Sequence, residues 1–185
     1  MTYYGAKELA EWFRTVRNNT IRVAEDIPED KYSFKAAPDT RTVEKLLTHI
    51  ALGSRFAYLI HGVERRTTLE GFNFPAWMQQ IGAEEAKPRT KAEVIALLRE
   101  EGEKWATFLE GVPEAFLGQV LPMPAGATPP ARSRFDMILS VKEHEMHHRG
   151  QLMLIERMIG IVPHITRDMQ ARSAQAQQQQ TQATS

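Results

Sequence analysis

The chain has 185 residues, 42% of them hydrophobic and 25% charged, a composition that suits one soluble globular domain with room for a core. Lys plus Arg and Asp plus Glu each number 23, so the formal net charge is zero and no basic block appears. That balance excludes a dedicated nucleic-acid binder, which needs a basic face. There is no cysteine, which excludes disulfides, thiolate metal sites, iron–sulfur clusters and a cysteine nucleophile. Any metal must therefore be held by His, Asp or Glu. The opening MTYYGAKELAEWF lacks a basic stretch followed by an apolar run, and no segment approaches the ~20 apolar residues of a membrane span. The expected location is the cytoplasm, with no membrane partner.

Helical periodicity dominates the chain. Leu9, Trp12, Phe13, Val16, Thr20, Val23 and Ile27 follow i, i+3, i+4 spacing, and Pro28 marks the end of a first helix. A linker, KYSFKAAPDT, leads to a second helix that starts between Asp39 and Thr42, both capping-type residues. Its inner stripe holds Leu46, Leu47, Ile50, Gly53, Ala57 and Ile60, with His49 in the middle and Gly62 as the stop. Residues 63–90 are less regular, and GFNFPAW reads as a loop feeding a short turn. Thr90 and Glu93 form a capping box before Val94, Leu97, Leu98, Trp105, Phe108 and Leu109, and Gly111 and Pro113 end this third helix.

Residues 111–132 are rich in Pro and Gly and read as a long irregular crossover. Ser133 caps a fourth helix that runs to about Gly160, with Pro163 beyond it. No alternating run is long enough for a strand. The expected fold is all-α, a four-helix bundle over residues 1–164 with a long crossover before the last helix. Residues 165–185 form a Gln/Ala-rich segment, expected as a disordered tail or an extension of weak helix.

The histidines carry the chemical signal. His144 and His148 lie one turn apart on the face that also holds Met137, Val141, Gln151 and Ile155. Imidazoles at i and i+4 can converge on one ion. His49 lies on the inward stripe of the second helix, and bundle cores build metal sites from facing helices. Together the three favour a metal site over a core histidine and a solvated pair, and three neutral imidazoles leave a coordination position open. His147 is set to one side, as a proton carrier or an exposed residue. His61 and His164 lie near helix ends and read as solvated.

His144-Glu145-Met146-His147-His148 also fits the H-E-x-x-H pattern, in which Glu145 would activate a zinc-bound water. The extended protease pattern fails, because Gln151 and Leu154 stand where its glycine and third histidine belong. No sheet edge is expected that could hold a peptide. The bundle site is preferred.

The segment HEMHHRGQL (His144 to Leu152) resembles the signature of the DinB/YfiT-like superfamily of bacterial metalloproteins. KYSFKAAPDTRTVEKLLTHIA (Lys31 to Ala51) is similar to that family's first half, and the resemblance spans roughly residues 5–160. Ala37 stands where a proline is common, and Arg41-Thr42 where Trp-Ser is common; neither touches a proposed ligand. The resemblance implies an up-down-down-up bundle with a divalent ion at His49, His144 and His148. It also implies a homodimer and, in some members, a thiol-dependent transferase or isomerase using a low-molecular-weight thiol.

The expected function is a metal-dependent enzyme for a small electrophile, with an external thiol as nucleophile. Zinc or nickel is the expected ion, with manganese or iron as alternatives. Glu145 and His147 are the candidates for proton transfer, and Arg149 and Gln151 for holding a cofactor. The alternatives are a metal-dependent hydrolase and a non-enzymatic bundle with a structural or sensory metal.

Overall fold

In the computed structural model, residues 4–183 are described. Four long helices carry the fold. They are α1 (Ala6–Asp26), α2 (Val43–Leu52), α5 (Lys91–Glu110) and α7 (Arg134–Met158). Each of the last three starts as its sequence dictates. Thr42 accepts from the Lys45 amide at 3.1 Å, the Thr90–Glu93 capping box is made, and Ser133 accepts from the Asp136 amide at 3.1 Å.

The helices form a ring in which α1 and α2 each pack on both α5 and α7. Side-chain pairs set the directions. Arg14 meets Glu103 and Glu110 while Arg99 meets Glu25, so α1 and α5 are antiparallel. Tyr4 meets Lys142 and Val16 meets Arg149, so α1 and α7 are parallel. His49 meets His144 and, farther along, His61 meets Arg134, so α2 and its continuation run against α7. The order is up-down-down-up, a four-helix bundle.

Apolar side chains fill the bundle in two main groups. Ile21, Val23, Ile27, Leu47, Ile50, Leu98 and Leu152 fill one end; Leu9, Phe13, Trp105, Leu109 and Ile138 fill the other. Each such side chain contributes about 1.5–3 kcal/mol by leaving water. Between the two groups a buried ion pair crosses the bundle. Arg17 of α1 donates to both carboxylate oxygens of Glu145 on α7, and also to the carbonyls of Leu98 and Ile50. Gly102 makes this crossing possible, because a Cβ there would lie 2.8 Å from Arg17 Cγ.

Several segments differ from expectation. The second helix is not continuous to Gly62: it breaks after Leu52, resumes as α3 (Arg55–Tyr58) and ends in a π turn over Leu59–Val63. GFNFPAW opens a full helix, α4 (Phe74–Ala86), capped by Asn73, which accepts from the Ala76 amide at 3.0 Å. α4 has no fully buried residue; Phe74, Trp77 and Ile81 are half-buried on its inner face, where Phe74 and Trp77 pack against Phe56. The crossover is less irregular than expected. It holds a short helix, α6 (Glu114–Leu117), and an antiparallel pair, β1 (Val120–Pro122) with β2 (Ala131–Ser133). Trp12 points outward and is half exposed.

Of the two forms expected for the Gln/Ala-rich segment, the described residues take the helical one: α8 spans His164–Ala183. Arg22–Asp168 and Arg167–Asp26 ion pairs tie its first turns to α1. Ala and Gln are favourable helix formers even without an apolar face, which is why a composition poor in core residues still yields a helix. Among the described residues no helix is long and apolar enough to cross a membrane.

Candidate metal centre

His49 stands on α2, and His144 and His148 stand one turn apart on the antiparallel α7. Ring nitrogens of the three lie within 4.8 Å of one another. His49 Nε2 and His144 Nε2 are 3.1 Å apart. Two nitrogens at that spacing, each ~2.0–2.1 Å from an ion, would subtend roughly 100° at it, within reach of tetrahedral or octahedral geometry. The donor set therefore fits a divalent cation of the borderline class that imidazole prefers.

Two neighbours fix which nitrogen of each ring is free. Glu85 Oε2 lies 3.0 Å from His49 Nδ1, and a carboxylate can only accept there. His49 thus carries its proton on Nδ1 and presents a lone pair at Nε2. Gln151 does the same for His148. Its Oε1 lies 2.8 Å from His148 Nδ1, while its amide nitrogen donates to His147 Nε2 at 3.2 Å. Such outer hydrogen bonds orient ligating imidazoles and raise their basicity. Gly53 makes room for the third ring, since a Cβ there would lie 3.1 Å from His144 Nδ1.

Electrostatics keep the two α7 rings neutral. Burial, then the neighbouring His148 and His49, push His144 down to about 4. Burial also lowers His148, against the opposing hydrogen bond from Gln151. Glu85 is held below the usual carboxylate range: burial alone would raise it, but hydrogen bonds from Arg41 and His49 outweigh that. Near neutral pH His144 and His148 are therefore uncharged, and with the Nε2 lone pair of His49 they form a cluster ready to take a cation.

The sequence-predicted residues separate into two sets. His49, His144 and His148 come together. Gln151 reaches the cluster, as a holder of His148. His147 is exposed beside it and touches the cluster only through Gln151 and a ring contact with His148. Glu145 and Arg149 do not belong to the site. Successive helix residues differ by ~100°, so Glu145 turns away from His144 into the bundle, where Arg17 takes its carboxylate. Arg149 is partly buried against α1 and donates to the Val16 carbonyl at 3.2 Å.

His61 and His164, expected in solvent, are both fully buried. The π turn carries His61 inward to Arg134, and His164 bonds Asn19.

Glu85 is the functional residue that the sequence reading lacks. It lies on α4, a stretch whose sequence reads as a loop feeding a short turn. Asn73 before Phe74-Pro75, a capping residue followed by a helix-starting proline, was the available signal.

The cluster opens into a cavity of about 600 Å³ between α2, α4 and α7. Its lining is mainly apolar, with Leu52, Phe56, Trp77, Ile81, Met137 and Val141. Polar groups sit at its ends.

The bundle and the cleft together define a four-helix protein with a three-histidine cluster at the edge of an apolar cavity. The chain belongs to the DinB superfamily, whose model matches residues 13–152. It is 28% identical over 156 residues to the uncharacterized protein YjoA of Bacillus subtilis, covering 84% of this chain and 91% of YjoA. The crystal structure of that DinB-like protein superposes with a TM-score of 0.59 at 25% identity, over 83% of this chain and 92% of the other. YfiT from Bacillus subtilis, described as "a probable metal-dependent hydrolase with an unusual four-helix bundle topology", superposes with a TM-score of 0.65 at 14% identity. That match covers 87% of this chain and 91% of YfiT, and it speaks for the fold alone.

Proposed function

We propose that the protein is a divalent-metal-dependent enzyme that joins a low-molecular-weight thiol to a small electrophile. The carrying observation is the pairing of three lone-pair-presenting imidazoles with a cavity that offers no free carboxylate. Glu85 is the one carboxylate among the described residues lining the cavity, and Arg41 and His49 occupy it. A divalent ion held by the three histidines would supply Lewis acidity, lowering the pKa of whatever fills its open position.

Activating water in such a site ordinarily calls for a nearby base, as the Glu of H-E-x-x-H supplies elsewhere. Glu145 cannot serve, because Arg17 holds it inside the bundle. A thiol has an ordinary pKa of about 8.5 and needs far less help than water. The chain has no cysteine, so the thiol comes from outside. Glu85 and Gln151 hold the rings in register, and exposed His147, bonded to Gln151, is the carrier for the released proton. Pairing of two copies belongs to the same proposal, by family resemblance.

A second reading, metal-dependent hydrolysis, has the description of YfiT behind it. One experiment separates the two. Protein loaded with Co(II) is titrated with N-acetylcysteine and followed in the near ultraviolet. A saturable sulfur-to-cobalt charge-transfer band, with thiol-dependent consumption of 1-chloro-2,4-dinitrobenzene, is expected. No band, together with thiol-independent hydrolysis of p-nitrophenyl acetate, would replace the transferase reading with the hydrolase one.

A further inference from the structure

The cavity that begins at the three-histidine centre has a second polar end. Along α7 the step from His144 to Arg134 is ~15 Å, and along the opposing chain from His49 to His61 it is ~18 Å. His61 lines the cavity there and is fully buried. Arg134 Nη1 lies 2.8 Å from His61 Nδ1, and a guanidinium can only donate. The His61 proton is therefore on Nε2, and that buried N–H has no partner among the described residues. Burial holds the ring down to about 4, with the Arg134 charge adding to the effect, so near pH 7 it stays a neutral donor.

Arg134 is the second anomaly. It is 1% exposed, yet its partners are all uncharged. Nε donates to Gln119 Oε1 at 2.9 Å, Nη2 donates to the Arg66 carbonyl at 2.7 Å, and the guanidinium lies 4.1 Å from the centre of the Phe116 ring. Among the described residues no carboxylate pairs with it. A buried cation without a counter-charge and a buried N–H without an acceptor are each costly, and here they are in direct contact. Arg132 also lines the cavity, but Asp136 already neutralises it, which leaves Arg134 as the buried cation without a counter-charge. Both anomalies would be relieved by one acidic group at the His61 end of the cavity.

We propose that this cavity binds an amphipathic carboxylate. The acid group accepts from His61 Nε2–H, which a small shift of the π turn uncovers to the cavity, within the field of Arg134; the apolar body lies along Phe56, Ala57, Trp77, Ile81 and Val141, and the far end reaches toward the histidines. The proposal rests on reading the three-histidine centre as a small-molecule site, and it names the substrate class for that site. His61 is then a specificity-determining residue, and Arg134 positions it.

The test is calorimetric titration of octanoate and of 1-octanol into zinc-loaded protein and into protein stripped with a chelator. Two variants accompany the native chain. His61→Phe removes the donor. Gly82→Phe blocks the cavity from α4, where an added Cβ meets nothing within 4 Å, so folding is preserved. Octanoate should bind both forms of the native protein at one per chain, at least ten-fold tighter than octanol. Binding should weaken at least ten-fold in His61→Phe and vanish in Gly82→Phe. If His61→Phe does not fold, the octanoate-to-octanol ratio and Gly82→Phe decide.

Equal binding of the two probes, or octanoate binding unchanged in Gly82→Phe, would overturn the proposal. So would octanoate binding confined to zinc-loaded protein and indifferent to His61→Phe, because the carboxylate would then sit on zinc. A native protein that takes up no zinc but still prefers octanoate through His61 would end the metal reading and support this one.

Discussion

His144 and Glu145 are adjacent in sequence and serve opposite sides of α7. On one side His144 and His148 meet His49 at the edge of a cavity; burial keeps both α7 rings neutral, and Gln151 leaves His148 Nε2 with a free lone pair. On the other side Glu145 is 2% exposed and fully charge-paired with Arg17. One face is organised to receive a charge from outside, and the other has already neutralised its own. A motif read as a linear string merges the two; the ~100° step of the helix separates them. Farther along the inner side, Glu156 is also fully buried, but both its carboxylate oxygens lack a partner among the described residues. The comparison therefore has a third member, a buried acid without a cation.

The largest effect should come from breaking the inner pair. Arg17→Ala or Glu145→Ala leaves one buried charge unpaired and should cost about 3–5 kcal/mol in urea unfolding. The double change Arg17→Met with Glu145→Leu should recover most of that loss. A native-like stability of either single variant would show that the pair does not hold the helices.

The outer face should respond in metal content rather than in folding. His49→Ala, like His144→Ala, should lose the ion, while stability of the metal-free protein shifts by about 1 kcal/mol or less, read by chelator-treated thermal melts. The partners of the ligands should matter less. Glu85→Gln should weaken metal affinity by about 10–100-fold in competition with a chromophoric chelator, and Gln151→Ala by less than about ten-fold.

Acidity distinguishes the two kinds of buried group. Burial pushes Glu156 up to about 7, with Asp26 adding to the effect, from an ordinary 4.5. The folded state then binds more protons than the unfolded one in that window, so this contribution to stability is lost as pH rises through about 7. Glu156→Gln should be more stable than the native protein at pH 8, by on the order of 2 kcal/mol, and equal to it at pH 4. His61 has the opposite sign. Its folded value of about 4 lies below the ordinary 6.5, so its contribution is lost as pH falls across that interval. Unfolding curves from pH 4 to 8 read both slopes.

Much of this was legible from residue spacing. Caps at Thr42, Thr90 and Ser133 and the i, i+4 histidines marked α2, α5 and α7, and His49 stood out as a polar residue inside an apolar stripe. The carboxylate beside His49 was hidden because α4 is only half-buried even on its inner face, so its stripe of Phe74, Trp77 and Ile81 is short and follows an irregular stretch. His61 was misplaced because the π turn shifts the helical phase beyond Tyr58, which straight periodicity cannot anticipate. Glu145 was misplaced because a five-residue pattern says nothing of Arg17, a partner far away in sequence.

The most direct measurement is divalent metal per chain, by plasma mass spectrometry, on native protein, His49→Ala and His144→Ala after reconstitution with zinc or nickel. The expected result is one ion per native chain and less than a tenth of that in each variant, with helicity unchanged by circular dichroism. A native chain that takes up no ion, or variants that keep it, would contradict the three-histidine centre.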